Sequence, residues 1–287
     1  MQQDSRASRL IALGGLVAVF AALYAPVFGD LATVWLGDAN YSHGPLILPV
    51  IAYLVWTRRR QLAAEPLRPS NVGMAIILVS LAALLVGIAG VEFFLMRTSA
   101  VGVIAGSVVF IAGWGWLRRV LFPLALTALV IPIPPVLFYQ AAFPLQVLAT
   151  KFGVVALRLF DIPVLREGNV ITLTHTTLEV TEACSGIRSL VSLFSLAVLY
   201  GYFTHTGAIK RTVVALSSIP IAILANGFRI AGTGLAAHYV SPSTATGFFH
   251  TFSGWAVFMT SFVMLMAVAG GLRAVSPLRF RQPELAS

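Results

Sequence analysis

Apolar residues run along this chain in blocks long enough to cross a bilayer, which takes roughly 18 to 25 of them as a helix. Eight such blocks stand out, near 9–28, 44–57, 72–91, 98–117, 120–138, 184–203, 212–238 and 251–272. The second is short unless it begins before Pro45, and Pro132, Pro134 and Pro135 interrupt the fifth. No small-residue cleavage site follows 9–28, so that block reads as a span and not as a signal peptide. The stretch 139–183 behaves differently. Its first part, YQAAFPLQVLATKFGVVALRLF, is apolar but broken by Lys151 and Arg158, which suits a helix lying in the interface. Its second part, VLREGNVITLTHTTLEV, switches to a period of two, in Val170, Thr172, Thr174 and then Leu178 and Val180. With Glu167-Gly168-Asn169 as the turn, it predicts a small β-hairpin. The expected fold is an all-α polytopic membrane protein with about eight transmembrane helices, forming one integral membrane domain over 1–287. The interfacial helix and hairpin of 139–183 form its outer face.

Composition agrees. Of 287 residues, 58% are hydrophobic and only 10% charged, against about 25% charged in soluble domains. A net charge of +9 could indicate a nucleic-acid partner, but the basic residues fall in short clusters between apolar blocks and form no continuous basic face. No nucleic acid is expected; the partner is the lipid bilayer. With the N-terminus cytoplasmic, the inner segments hold Arg6, Arg9, Arg58, Arg59, Arg60, Arg68, Arg118, Arg119, Lys210, Arg211, Arg273, Arg279 and Arg281. That is thirteen of the nineteen basic residues. Most acids, among them Asp30, Asp38, Glu92, Asp161, Glu167, Glu179 and Glu182, fall outside. The positive-inside rule then puts both termini in the cytoplasm.

Three residues carry candidate chemistry at that outer level. Cys184, the only cysteine, stands where the polar stretch TEACSG becomes an apolar helix. A free cysteine is more often a small buried hydrophobe, but a helix N-terminus favours thiolate, and its unpaired N–H groups can hold an oxyanion. Arg229 lies inside an apolar block, where an arginine costs roughly 2.5 to 3.5 kcal/mol on insertion scales and so faces protein or water. The competing explanation is a structural ion pair, with Glu182, or a snorkelling side chain. His250 opens the last block among aromatic residues, a common interfacial setting for histidine. Nucleophile, oxyanion stabiliser and proton carrier together are the parts of an acyl-transfer site. Supporting residues follow from position. Glu182 is expected to cap the helix or pair with Arg229 or Arg188, and Asn226 lies one turn before Arg229 and can orient it. His238 is the alternative proton carrier, and His43 can line the site. His175 also falls outside, without a role. No metal-ligand spacing occurs and no cofactor is expected.

The segments EACSGIR (182–188), NGFRI (226–230) and the histidine at 250 resemble the signature sites of the exosortase and archaeosortase family of membrane cysteine transpeptidases, and YSHGPLILP (41–49) resembles an exosortase segment. The resemblance implies catalytic roles for Cys184, Arg229 and His250, and the histidine variant implies a bacterial inner-membrane enzyme with its site facing the periplasm. It also implies substrates. These are exported proteins ending in a Pro-Glu-Pro motif, a spanning helix and a basic tail, with an amine acceptor whose identity the sequence leaves open. Rival readings are a small-molecule transporter with Arg229 as ligand, which has no need of Cys184, and a membrane acyltransferase using the same chemistry on lipid.

Overall fold

The computed structural model describes residues 2–174, 177–179, 187–241 and 247–274. The chain is an all-α polytopic membrane protein. Among the described residues, seven helices are long and apolar enough to cross a membrane: 14–37 within α1 (Gln2–Gly37), α4 (Val72–Gly90), α5 (Phe93–Ile111), α7 (Pro135–Arg158), α8 (Ile187–Thr204), α9 (Ala208–Tyr239), and 252–274 within α10 (Gly247–Ala274). The helix α2 (Gly44–Thr57) is apolar but has only 14 residues, and α3 (Arg59–Ala64) and α6 (Trp114–Ala125) are shorter. The contacts divide the chain into two compact units, residues 1–134 and 135–287.

In the first unit α4 and α5 form a close hairpin. A Cβ at Gly73 would lie 2.3 Å from the Phe110 backbone nitrogen, so only glycine lets the two backbones approach so nearly. The turn between them is set by Val91 in the left-handed region and by Glu92, whose carboxylate accepts the Leu95 N–H at 2.6 Å and caps α5. Helix α1 runs nine residues beyond the expected end at 28. It continues because Asp30, expected in an outer loop, forms an ion pair at 2.8 Å with Arg97, which is buried in the second turn of α5. The expected fifth span, 120–138, is not one helix. Helix α6 passes into a 3-10 turn (Leu126–Leu129) and then into extended chain ahead of Pro134. Residues 129–133 return to the level of the turn after α1. The Trp35 indole donates to Val130 O at 2.9 Å, His43 Nε2 meets Leu129 O at 3.2 Å, and the Ile133 N–H donates to the Tyr41 hydroxyl at 3.0 Å. The other end of this unit collects Arg58, Arg59, Arg60, Arg68, Arg118 and Arg119, with Glu65 bound to Arg119.

In the second unit α8 and α9 are antiparallel neighbours, with Gly201 against Arg211 and Val214. They share with α10 a core of Leu193, Ala197, Val214, Ile221, Ala222 and Leu265. Helix α7 begins earlier than the interfacial helix expected from 139 onward, and it packs parallel to α9, with Phe152 on Gly227 and Leu157 on Gly234. Its first third instead meets the beginning of α8, through Phe138, Ala142 and Ile187. Both ends of α7 therefore lie toward one end of the unit, which fits a helix inclined across that end. The expected hairpin is present and has a third strand. β1 (Leu165–Glu167), β2 (Val170–Thr172) and β3 (Thr177–Glu179) form an antiparallel meander in that order. Glu167 pairs with Val170 around Gly168, whose φ of +61° suits glycine. The inward residues are Ile171 and Leu173, packed with Val154, Leu157 and Ile230. The Val170–Thr172 face of the alternation points the other way.

Candidate active site

Of Cys184, Arg229 and His250, helix α9 carries the one whose side chain is described. Arg229 is half-buried beside Asn226, which is 2% exposed, and Ile230, which is 5% exposed. Its position along the chain is set by tight packing on α7. A Cβ at Gly227 would lie 2.3 Å from the Phe152 ring, and the Phe152 and Phe228 rings meet edge-on at 5.1 Å. So close a seat fixes the rotation of α9 about its axis at this point, and with it the direction in which residue 229 projects.

That direction is toward α10. Arg229 Nε donates to Ser253 Oγ at 3.3 Å, and a Cβ on Gly254 would lie 3.4 Å from Nη2. The guanidinium thus rests on the bare backbone of α10 at Gly254, held from the side by Ser253. Helix neighbours three and four residues apart share a face, so position 250 lies one turn before 253 and 254 on the stripe that receives Arg229. The side chain of His250 lies outside the described residues. Ser253 is a contact that the sequence reading missed. Its signal was the spacing of three from His250, legible only once α9 and α10 are known to be neighbours.

Cys184 and Glu182 also lie outside the described residues. The level at which the chain resumes is nevertheless fixed. Gly201 stands beside Val214, and fourteen residues back along α8, about 21 Å at 1.5 Å per residue, is Ile187. The same count forward along α9 reaches Phe228. The start of α8, three residues after Cys184 in sequence, is therefore level with Arg229. Arg188 follows Ile187 and is exposed.

The remaining candidates are elsewhere. His238 is nine residues beyond Arg229, two and a half turns of helix, hence on the opposite side of α9 and about 13.5 Å farther along. It packs edge-on against Tyr239 at 4.8 Å, and its Nδ1 is buried with no hydrogen-bond partner among the described residues. His43 belongs to the first unit. Its bond to Leu129 O ties the turn after α1 to the chain beyond α6, and burial pushes its pKa below the ordinary histidine value. Among the described residues no group of histidines, cysteines and carboxylates could hold a metal ion.

The family model described as Transmembrane exosortase (Exosortase_EpsH) matches residues 35–267. The chain belongs to the transmembrane exosortase family. The match runs from the end of α1 through most of α10, and so takes in the 41–49 segment together with Cys184, Arg229 and His250 of this exosortase. No curated protein and no solved structure matches it.

Proposed function

We propose that this exosortase is a cysteine transpeptidase that cleaves C-terminal sorting tails of exported proteins at the outer face of a bacterial inner membrane. The observation that carries the reading is the seat of Arg229 on Ser253 and Gly254, one turn from position 250 and level with the start of α8. Such a seat holds a positive group at the level where α8 begins, three residues after Cys184 in sequence. Fixed donors aimed where charge develops are the largest single contribution in many acyl-transfer enzymes.

In this mechanism His250 takes the Cys184 thiol proton, and Sγ attacks the scissile carbonyl carbon. Arg229 holds the resulting oxyanion. The C–N bond breaks as His250 returns its proton to the leaving amine, and the acyl group stays on Cys184 as a thioester. An incoming amine, or water, then gives up a proton to His250, attacks the thioester and releases the thiol. Asn226, buried one turn before Arg229, orients the guanidinium. The substrate's sorting tail is a Pro-Glu-Pro motif, a spanning helix and a basic end. With that end in the cytoplasm, the cleavage point stands at the level of Arg229. The basic clusters at Lys210, Arg211 and Arg273, at the opposite end of the second unit, support this orientation and cytoplasmic termini.

The test is coexpression of the full chain with an exported protein bearing such a tail, followed by mass measurement of the product. The wild type should shorten the substrate at the motif. Cys184→Ala should insert and accumulate normally yet leave the substrate intact. Full processing by a well-expressed Cys184→Ala enzyme would end the cysteine reading.

A further inference from the structure

A slot of about 420 Å³ opens in the first unit between α1 and α5, bounded at one end by α6. Its walls are almost wholly apolar: Leu16, Val17 and Phe20 of α1 face Ile104, Val108 and Ile111 of α5. The α5 wall extends from Val103 to Ala112, about 13.5 Å at 1.5 Å per residue. The slot thus runs about two and a half turns along α5. Its volume is within the range of about 300 to 1,000 Å³ usual for small-molecule sites.

The α6 end of the slot is polar and strongly basic. Leu67 and Trp116 close it, and the Trp116 indole donates to Glu65 O at 3.2 Å. The next residue after Leu67 is Arg68, which is exposed, and its N–H donates at 3.0 Å to the carbonyl of Ala112 on the slot wall. Segments 58–68 and 113–119 carry six arginines, Arg58, Arg59, Arg60, Arg68, Arg118 and Arg119, against one acid, Glu65. That acid is already bound to Arg119. An apolar slot ending beside an excess of positive charge, six arginines to one acid, is complementary to an acyl chain with an anionic headgroup. The same charge would repel a helix ending in basic residues.

We infer that this slot holds one acyl chain of an anionic phospholipid, with the phosphate of its headgroup on Arg68. The inference rests on the first unit alone and is independent of the peptidase reading. Juxtamembrane arginines attract anionic lipid in proportion to their number, and the slot turns that general attraction into a single site with defined depth.

Purified full-length protein would be offered equal amounts of phosphatidylglycerol and phosphatidylethanolamine with matched chains, and retained lipid counted by native mass spectrometry. The wild type should retain one phosphatidylglycerol with at least about fivefold preference, the effect of one arginine near a lipid surface. Ile104→Trp, which fills the slot, should lose that lipid while unfolding at the wild-type temperature. Arg68→Gln, on an exposed loop, should retain a lipid without headgroup preference. Equal retention of both lipids by the wild type overturns the inference, as does an unchanged preference in Arg68→Gln. A photoreactive residue at position 107 should cross-link to lipid, and cross-linking to a protein helix or a second copy overturns it too.

Discussion

Arg229 on α9 and Ser253 on α10 meet at 3.3 Å, Nε to Oγ, with the guanidinium lying on the glycine that follows Ser253. One hydrogen bond between membrane helices contributes only about 0.6 kcal/mol on average, so its importance here is directional. It turns a charge carried on an otherwise apolar stretch of α9 toward the helix stripe that includes position 250.

A guanidinium can direct two N–H donors at one developing charge, which an ammonium cannot copy. Arg229→Lys is expected to accumulate at near-normal levels and to form the acyl-enzyme roughly 100- to 1000-fold more slowly, the usual loss for one oxyanion donor set. Near-normal processing by Arg229→Lys would leave Arg229 a purely structural role. Ser253→Ala, which keeps the charge and loses the lateral hold, should be slowed far less.

The two histidines give opposite expectations. His250→Ala should abolish processing, because position 250 shares the stripe that receives Arg229. His238→Ala should process normally, since His238 lies on the far side of α9, against Tyr239. The comparison is read by the rate of substrate shortening at matched expression. Loss of activity in His238→Ala with full activity in His250→Ala would reverse the assignment.

Gly227→Ala places a methyl group 2.3 Å from Cδ1 of Phe152 and 3.1 Å from its Cβ, and that Cβ is fixed to the backbone of α7 and cannot swing away. Either α7 moves off or α9 rotates, and both displace residue 229. Overpacking of this kind typically costs about 1 to 3 kcal/mol. The variant should unfold at lower temperature in detergent and process slowly. Wild-type values for both would show that the α7 seat does not position the site.

His205, in the turn between α8 and α9, is 4% exposed. Its Nε2 meets Ala269 O at 3.1 Å, and since a carbonyl only accepts, Nε2 carries the proton. Burial lowers its pKa, and the nearby Arg273, Lys210 and Arg211 lower it further. The folded protein therefore favours the neutral ring, whereas the unfolded chain takes up a proton near the ordinary value of about 6.5. Stability from this group is full above that pH and is lost as pH falls toward the lowered folded value. Melting temperature in detergent should drop on acidification from pH about 7.5 to about 5.5. His205→Gln should flatten that drop, with His43, also lowered by burial, accounting for part of the remainder. An equally steep drop in His205→Gln would remove His205 from this role.

The apolar blocks made the polytopic class plain, and the period-two stretch after Pro163 made the hairpin plain, because both are local properties of the chain. Boundaries failed where a distant partner decided them. Asp30 looks like a loop residue until Arg97 is opposite it, and then α1 continues to Gly37. The prolines near 132 were a sound sign that 120–138 could not be one helix. That α6 would nonetheless return the chain to the level of Tyr41 and His43 depended on hydrogen bonds across some 90 residues. Arg229 was legible because a charge inside an apolar block requires an explanation. Ser253 was not, since a serine three residues from a histidine has no meaning until another helix is laid against it.

Helix α9 has 32 residues, about 48 Å, while the hydrocarbon core is about 30 Å thick. From Ala208 to Arg229 is about 31 Å, so that stretch alone matches the core and the last ten residues stand above it as a post. On the proposed orientation, Arg229 is at the waterline. A thioester formed there is not sheltered by dryness, as it would be in a closed soluble pocket. If an amine acceptor is to win over water, it must be held in place, at a high local concentration, by contacts on that emergent post and on the small sheet packed against its base.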